Sequence, residues 1–330
     1  MPARKRYKYN KAATPTETPR SCCRCAQAFF TELPHELMLM VVEQVPRNDL
    51  ISLSLTCKAV RSALLPYLFC SVRSSWESLV SSWKHRSLPV GHPELVEKLR
   101  ITTHCPKNEW TFPFHELFSA SAGENQLVNL CSLELPSSGS TSFFKYCDVG
   151  ANLTTLTIHA VRPSSCFSLE HVKPFANLRE LSLAGFEIEE FDESGSLCPK
   201  LRSLRLKNCT WCYPFELENF GRDRITKLSL SYSNSFVMSE RFRLFLSSPG
   251  FTRLEELSIT NSERNMKLTV SLHVMALIGS IPTLRVLKLK GNIYNETLND
   301  FTNFDADNYI SYVALNNVKV FYSSFFQEAQ

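Results

Sequence analysis

Residues 178–206 read LRELSLAGFEIEEFDESGSLCPKLRSLRL. Twice in this stretch an aliphatic is followed at the third and fifth positions by two more: Leu178, Leu181 and Leu183, then Leu201, Leu204 and Leu206. The closing alternation puts two side chains on one face of a short strand. The residues between the two triplets are enough to carry the chain back and start the next strand beside the first. The same triplet occurs at Leu130-Leu133-Leu135, Leu153-Leu156-Ile158, Ile225-Leu228-Leu230, Leu254-Leu257-Ile259 and Leu284-Leu287-Leu289. Start to start, the seven units are separated by 23, 25, 23, 24, 29 and 30 residues. Val96-Leu99-Ile101 and Leu315-Val318-Val320 add terminal strands at the longer separations of 34 and 31.

Units of this kind each leave an apolar face bare until a neighbour covers it, so they stack into a solenoid whose stability is a sum of nearest-neighbour interfaces. The expected fold class is α/β, with a curved parallel sheet. The pattern resembles irregular leucine-rich repeats over residues 95–322. Three residues after each strand, where that family places Asn or Cys, Cys209 and Asn292 conform; Ser138, Val161, Phe186, Ser233 and Ser262 do not. The alternative is a set of unrelated buried strands in an α/β sheet.

Residues 31–61, TELPHELMLMVVEQVPRNDLISLSLTCKAVR, obey a different rhythm. Thr31 is placed to cap a helix, Pro34 falls in its first turn, and Leu33, Leu37, Met40, Val41 and Val45 share one face until Pro46 ends it. Asn48 or Asp49 caps a second helical stretch in which Leu50, Leu53, Cys57, Val60 and Leu64 align, and Pro66 breaks the pattern. So short a segment buries too little apolar surface to offset chain entropy alone, which points to a partner.

Leu33-Pro34, Glu36-Leu37, Asp49-Leu50, Leu53, Leu55, Cys57-Lys58 and Arg61 resemble an F-box, the helical motif of ubiquitin-ligase substrate receptors. Val60 stands where many members have Trp. The resemblance implies docking on the adaptor subunit of an SCF-type cullin-RING ligase, and through it on a cullin. Leu33, Pro34, Leu37, Leu50, Leu53 and Leu55 are the implied adaptor contacts. The plain alternative is a helical hairpin packed on the rest of the chain. The expected organisation is a flexible basic tail at 1–28, the F-box at 29–72, a helical linker at 73–94, the repeats at 95–322 and a tail at 323–330.

If Leu181 and Leu183 point inward, Glu180, Ser182 and Ala184 face the other way. Applied unit by unit, this rule brings Arg205, Lys207, Lys227, Lys288 and Lys290 to the outer face with few acids, so these are the candidate target-binding residues. Their expected partner is an acidic or phosphorylated protein segment. The competing reading is solvated charge that keeps a sheet soluble.

The other features carry less. Formal net charge is +4, from 36 basic and 32 acidic residues, too balanced for a surface built for nucleic acid or anionic membrane. With no apolar run of membrane-spanning length, a cytoplasmic or nuclear protein is expected. Most of the 12 cysteines are then free core thiols and the sequons at Asn152, Asn208 and Asn295 chance matches. Cys209 and Cys212 form one C-x-x-C, which lacks a second pair, and Cys209 reads as a buried repeat residue. Cys22, Cys23 and Cys25 lack the partners of a zinc finger, and Arg4-Lys5-Arg6-Tyr7-Lys8 is either an import signal, a nucleic-acid contact or a solvated tail. No phosphate-binding glycine loop and no nucleophile setting occurs, so no catalytic residue, metal or cofactor is expected. The resemblance makes the chain a substrate receptor rather than an enzyme. A scaffold without ubiquitin transfer and a nucleic-acid-binding solenoid are the alternatives.

Overall fold

The structure is a computed structural model that describes residues 33–84, 92–103, 127–137, 152–162, 165–189, 198–211, 223–232, 251–261, 267–269, 277–290, 292–294 and 318–323. Short amino-terminal helices are followed by a parallel-sheet solenoid, and the chain divides at Leu68 and Phe69 into two compact units.

The first unit holds helix α1 (His35–Gln44), α2 (Arg47–Ser54) and the body of α3 (Lys58–Phe69). Pro34 and Pro46, both extended, are the N-cap residues of α1 and α2. Proline fits there because its fixed φ sets the entry of the chain and the N–H it lacks would go unused. Asn48 and Asp49 therefore lie inside the first turn of α2 instead of capping it, and Asp49 offsets the helix dipole. The second stretch is split at 55–57, where Leu55 and Thr56 turn back onto the carbonyls of Ser52 and Leu53. Pro66 does not end α3, which runs on to Phe69. Leu64 and Leu68, buried on either side of it, hold the turn that its missing N–H weakens. Arg47 Nη2 donates to the Leu68 carbonyl at 2.7 Å, tying the start of α2 to the end of α3.

The interior of this unit is Met38, Leu50, Val60, Leu64 and Leu68. Met38 was not on the expected apolar face of α1. Of that face, Leu37, Met40 and Val41 are on the surface, and Leu33 and Val45 are half-buried. Three short helices have too little interior to bury both stripes.

The second unit is a ten-stranded sheet with every pairing parallel. Its strands, in spatial order, are β1 (Ser71–Ser74), β2 (Lys98–Ile101), β3 (Ser132–Ser137), β4 (Thr155–Ala160), β6 (Glu180–Ala184), β8 (Ser203–Lys207), β10 (Lys227–Tyr232), β11 (Glu256–Asn261), β13 (Val286–Lys290) and β15 (Lys319–Ser323). The sheet thus starts at Ser71, inside the stretch read as F-box and linker. Helix α4 (Trp76–Lys84) and a 3-10 turn (Pro93–Leu95) follow β1. A smaller parallel sheet joins β5 (Ser165–Ser168), β7 (Phe186–Glu189) and β9 (Thr210–Trp211), and β12 (Lys267–Thr269) pairs with β14 (Asn292–Tyr294).

Register explains the repeat. Val72, Leu99, Leu133, Leu156, Leu181, Leu204, Leu228, Leu257, Leu287 and Val320 occupy one row across the ten strands. A second row runs from Leu135 through Ile158, Leu183, Leu206, Leu230 and Ile259 to Leu289, and all of these are buried. The first member of each triplet from Val96 to Leu284, such as Leu153, Leu178 or Ile225, is buried behind the strand, and Leu315 lies outside the described residues. Each buried leucine contributes about 1.5–3 kcal/mol relative to exposure, so losing the stack would expose many such terms at once.

Polar side chains before the strands join unit to unit. Asn129 Nδ2 donates to the Glu94 carbonyl at 2.7 Å, Asn152 Nδ2 to Val128 at 3.1 Å, and Arg224 Nη1 to Pro199 at 2.8 Å. The amide of the Asn152 sequon is thereby engaged within the fold. Two other matched positions turn the chain from the large sheet into the small one. Gly185 (φ 77°) follows β6 and Asn208 (φ 52°) follows β8, and after each the next side chain is buried, Phe186 in one case and Cys209 in the other. Left-handed backbone favours glycine first and asparagine second.

Candidate functional site

Two surfaces carry the residues singled out in the sequence, one in each unit. In the first, α1 exposes Leu37, Leu39, Met40 and Val41, and α2 with its end exposes Ile51 and Leu55, with Met40 63% and Leu55 70% accessible. Leu37, Met40 and Val41 follow the three- and four-residue spacing of one helix face, as Ile51 and Leu55 do. These large apolar side chains stay exposed on a unit that has little interior of its own.

The six expected adaptor contacts are not equivalent. Pro34, Leu37 and Leu55 are exposed, Leu33 and Leu53 half-buried. Leu50, only 5% accessible, packs inside the unit and holds α2 in place. Met40, Leu39 and Ile51 were missing from that set. Met40 was read only as part of the apolar face of α1, since periodicity alone does not distinguish a stripe facing a core from one facing a partner.

The second surface is the face of the large sheet turned away from its core. Arg73, Lys98, Arg100, Arg205, Lys207, Lys227, Lys288, Lys290 and Lys319 stand on its outward positions, against Glu134, Glu180 and Glu256. Among these, Arg73, Lys98, Arg100, Lys319 and Glu134 were not foreseen. Applying the alternation rule to Leu99 and Ile101 would have found Lys98 and Arg100; Arg73 needed β1.

Its carboxylates divide the cations. Glu134 Oε1 lies 3.2 Å from both Arg100 Nε and His159 Nε2. Glu256 sits between two of the expected target contacts: Lys227 Nζ is 4.0 Å from its Oε2, and Lys288 donates to its Oε1. Arg205 and Lys207 differ. On the strands to either side they face Ser182 and Ala184 on β6, and Ser229 and Ser231 on β10. Lys290 stands opposite Thr260. The five expected residues therefore lie on one face, with the β8 pair free of a directly opposed carboxylate and Lys227 and Lys288 sharing one.

The cysteines are placed by burial. Cys209 Sγ donates to the Leu183 carbonyl at 3.4 Å and also reaches that of Lys207, while burial pushes its thiol pKa up. This is the backbone bonding expected of the repeat position; Cys212, like Cys22, Cys23 and Cys25, lies outside the described residues. Burial pushes the Cys198 thiol up to about 12. Cys166 is exposed beside Glu189. Among the described residues no helix is long and apolar enough to cross a membrane.

Comparison with known proteins adds one finding. No curated protein matches the chain. Residues 30–66, which span α1, α2 and most of α3, match the F-box domain, and this match supports an F-box protein.

Proposed function

We propose that this chain is the substrate-recognition subunit of an SCF-type cullin-RING ubiquitin ligase. The F-box at residues 30–66 docks the adaptor, and the solenoid, read as irregular leucine-rich repeats, binds the protein to be modified. The observation that carries the reading is a coincidence of place: the F-box match falls on the helices that leave Leu37, Met40, Ile51 and Leu55 exposed. F-box domains bind SCF adaptors, and an apolar surface of this kind needs a partner. In this reading the chain performs no chemistry; ubiquitin transfer belongs to other subunits, in the cytoplasm or nucleus. The target is acidic or phosphorylated and lies against the outer face of the large sheet, where cations outnumber carboxylates.

Affinity purification under proteasome inhibition tests this. Recovery of adaptor, cullin and a ubiquitinated protein that accumulates on depletion of the chain is the expected result. Recovery of the adaptor with no protein stabilised by depletion would instead favour a scaffold without ubiquitin transfer.

A further inference from the structure

The outer face of the large sheet does not attract an anion evenly, and its register says where attraction is strongest. Arg205 and Lys207 are two residues apart on β8, so they project side by side, about 7 Å apart along the strand. Their neighbours across both pairings, Ser182 and Ala184 on one side and Ser229 and Ser231 on the other, are small and neutral. Two long cations thus stand over a shallow floor that offers hydroxyl groups and no directly opposed carboxylate. Toward β13 the situation changes, because Glu256 holds both Lys227 and Lys288. An anion arriving there must compete with a carboxylate already in place.

Building on the reading of the solenoid as the target-binding part, we propose that Arg205 and Lys207 form a single seat for a phosphorylated serine or threonine of the target, with the serine hydroxyls of β6 and β10 donating to its remaining oxygens. A phosphoryl group carries close to two negative charges and three acceptor oxygens, which matches two adjacent cations with donors beside them. A glutamate has half the charge and one fewer oxygen, and leaves part of this donor set unused. Nucleic acid would need cations in a continuous track along its backbone. Here the track is interrupted by Glu256 on one side of the seat and by Glu180, one row from Arg205, on the other.

The test uses the full-length chain purified with its adaptor. It is exposed to an immobilised phosphoserine and phosphothreonine peptide library, to the same library unphosphorylated, to one with glutamate at the modified position, and to generic single-stranded RNA. The phosphorylated library should be retained about 10- to 100-fold better than the others, the range expected for losing charge-assisted hydrogen bonds. R205Q/K207Q should abolish that preference, while K288Q/K290Q should keep it. Equal retention of the glutamate or unphosphorylated library, RNA that displaces the phosphopeptides, or loss in K288Q/K290Q with R205Q/K207Q unaffected would each overturn the seat. Retention of no library would overturn it as well. Adaptor co-purification is read in the same samples: its absence counts against the ligase reading, whereas its presence with no phosphopeptide preference counts against the seat alone.

Discussion

Lys288 donates to the carboxylate of Glu256 on the neighbouring strand, and Lys227, on the strand beyond, approaches the same carboxylate. One acid therefore offsets two cations that look equivalent to Arg205 and Lys207 in the sequence. Removing it should enlarge the positive surface. In E256Q, binding of an anionic target should strengthen about two- to fivefold, since a half-exposed pair contributes at most about 1 kcal/mol. Thermal melting should barely shift. Titration calorimetry with a captured target peptide checks the sign.

Charge reversal at the seat should act the other way. R205E/K207E should abolish target capture and leave the adaptor bound, because both side chains are exposed and neither contributes to the buried rows of the sheet. Its stability should stay within roughly 0.5 kcal/mol per substitution of wild type. Capture that persists in a pull-down would move the target to another surface of the solenoid.

Gly185 and Asn208 take the same turn in adjacent units but should respond oppositely to substitution. At Gly185 a Cβ would meet that of Ala160 at 3.2 Å, with φ at 77°. G185V should therefore cost about 2 kcal/mol or more, from the left-handed backbone together with crowding. N208G replaces a residue that tolerates this conformation by one that adopts it freely, so it should be neutral or slightly stabilising. Urea unfolding of the two variants distinguishes them.

Burial of Cys198 makes stability depend on alkaline pH. The unfolded thiol ionises near its ordinary value of 9, the folded one at about 12. Above pH 9 the unfolded chain therefore loses a proton that the folded chain keeps, and stability falls as pH rises from 9 towards 12. C198A should flatten that part of a melting-temperature profile relative to wild type. At Cys209 an aspartate would lie where the thiol now bonds two carbonyls, and C209D should destabilise the solenoid by several kcal/mol.

How far the fold could be read in advance depended on how many buried residues each strand contributes. The strands of the large sheet from Lys98 to Lys290 announce themselves where two aliphatics alternate behind a third; at β15 the expected triplet Leu315-Val318-Val320 is two residues out of step, because Val320 pairs with Leu287 and Tyr322 with Leu289. β1 escaped because its second inward position is Ser74, buried yet polar, and in the small sheet β5 buries only Phe167 and β7 only Phe186 and Ile188. The amino-terminal helices were recognisable by spacing, but which stripe faced inward was not: Met38 and Met40 are chemically identical, and only the packing of three helices buries the first and exposes the second. The outer-face position of Arg205, Lys207, Lys227, Lys288 and Lys290 followed from alternation alone. Their division by Glu256 did not, because it requires knowing that Lys227 is paired in register with Glu256 and Ser258 with Lys288.

The central claim is that the exposed apolar surface of the helical unit binds an SCF adaptor, and co-expression of the adaptor with the full-length chain tests it most directly. Leu33 and Pro34 stand at the entry to α1, half-buried and exposed, where truncation need not disturb the solenoid. Wild type should retain the adaptor through size-exclusion chromatography. L33A/P34A should lose at least about tenfold in affinity, since truncating one packed leucine at an interface typically costs roughly 2–4 kcal/mol, with the melting temperature of the solenoid unchanged. Undiminished retention by the double variant, or no adaptor bound to wild type, would contradict the account.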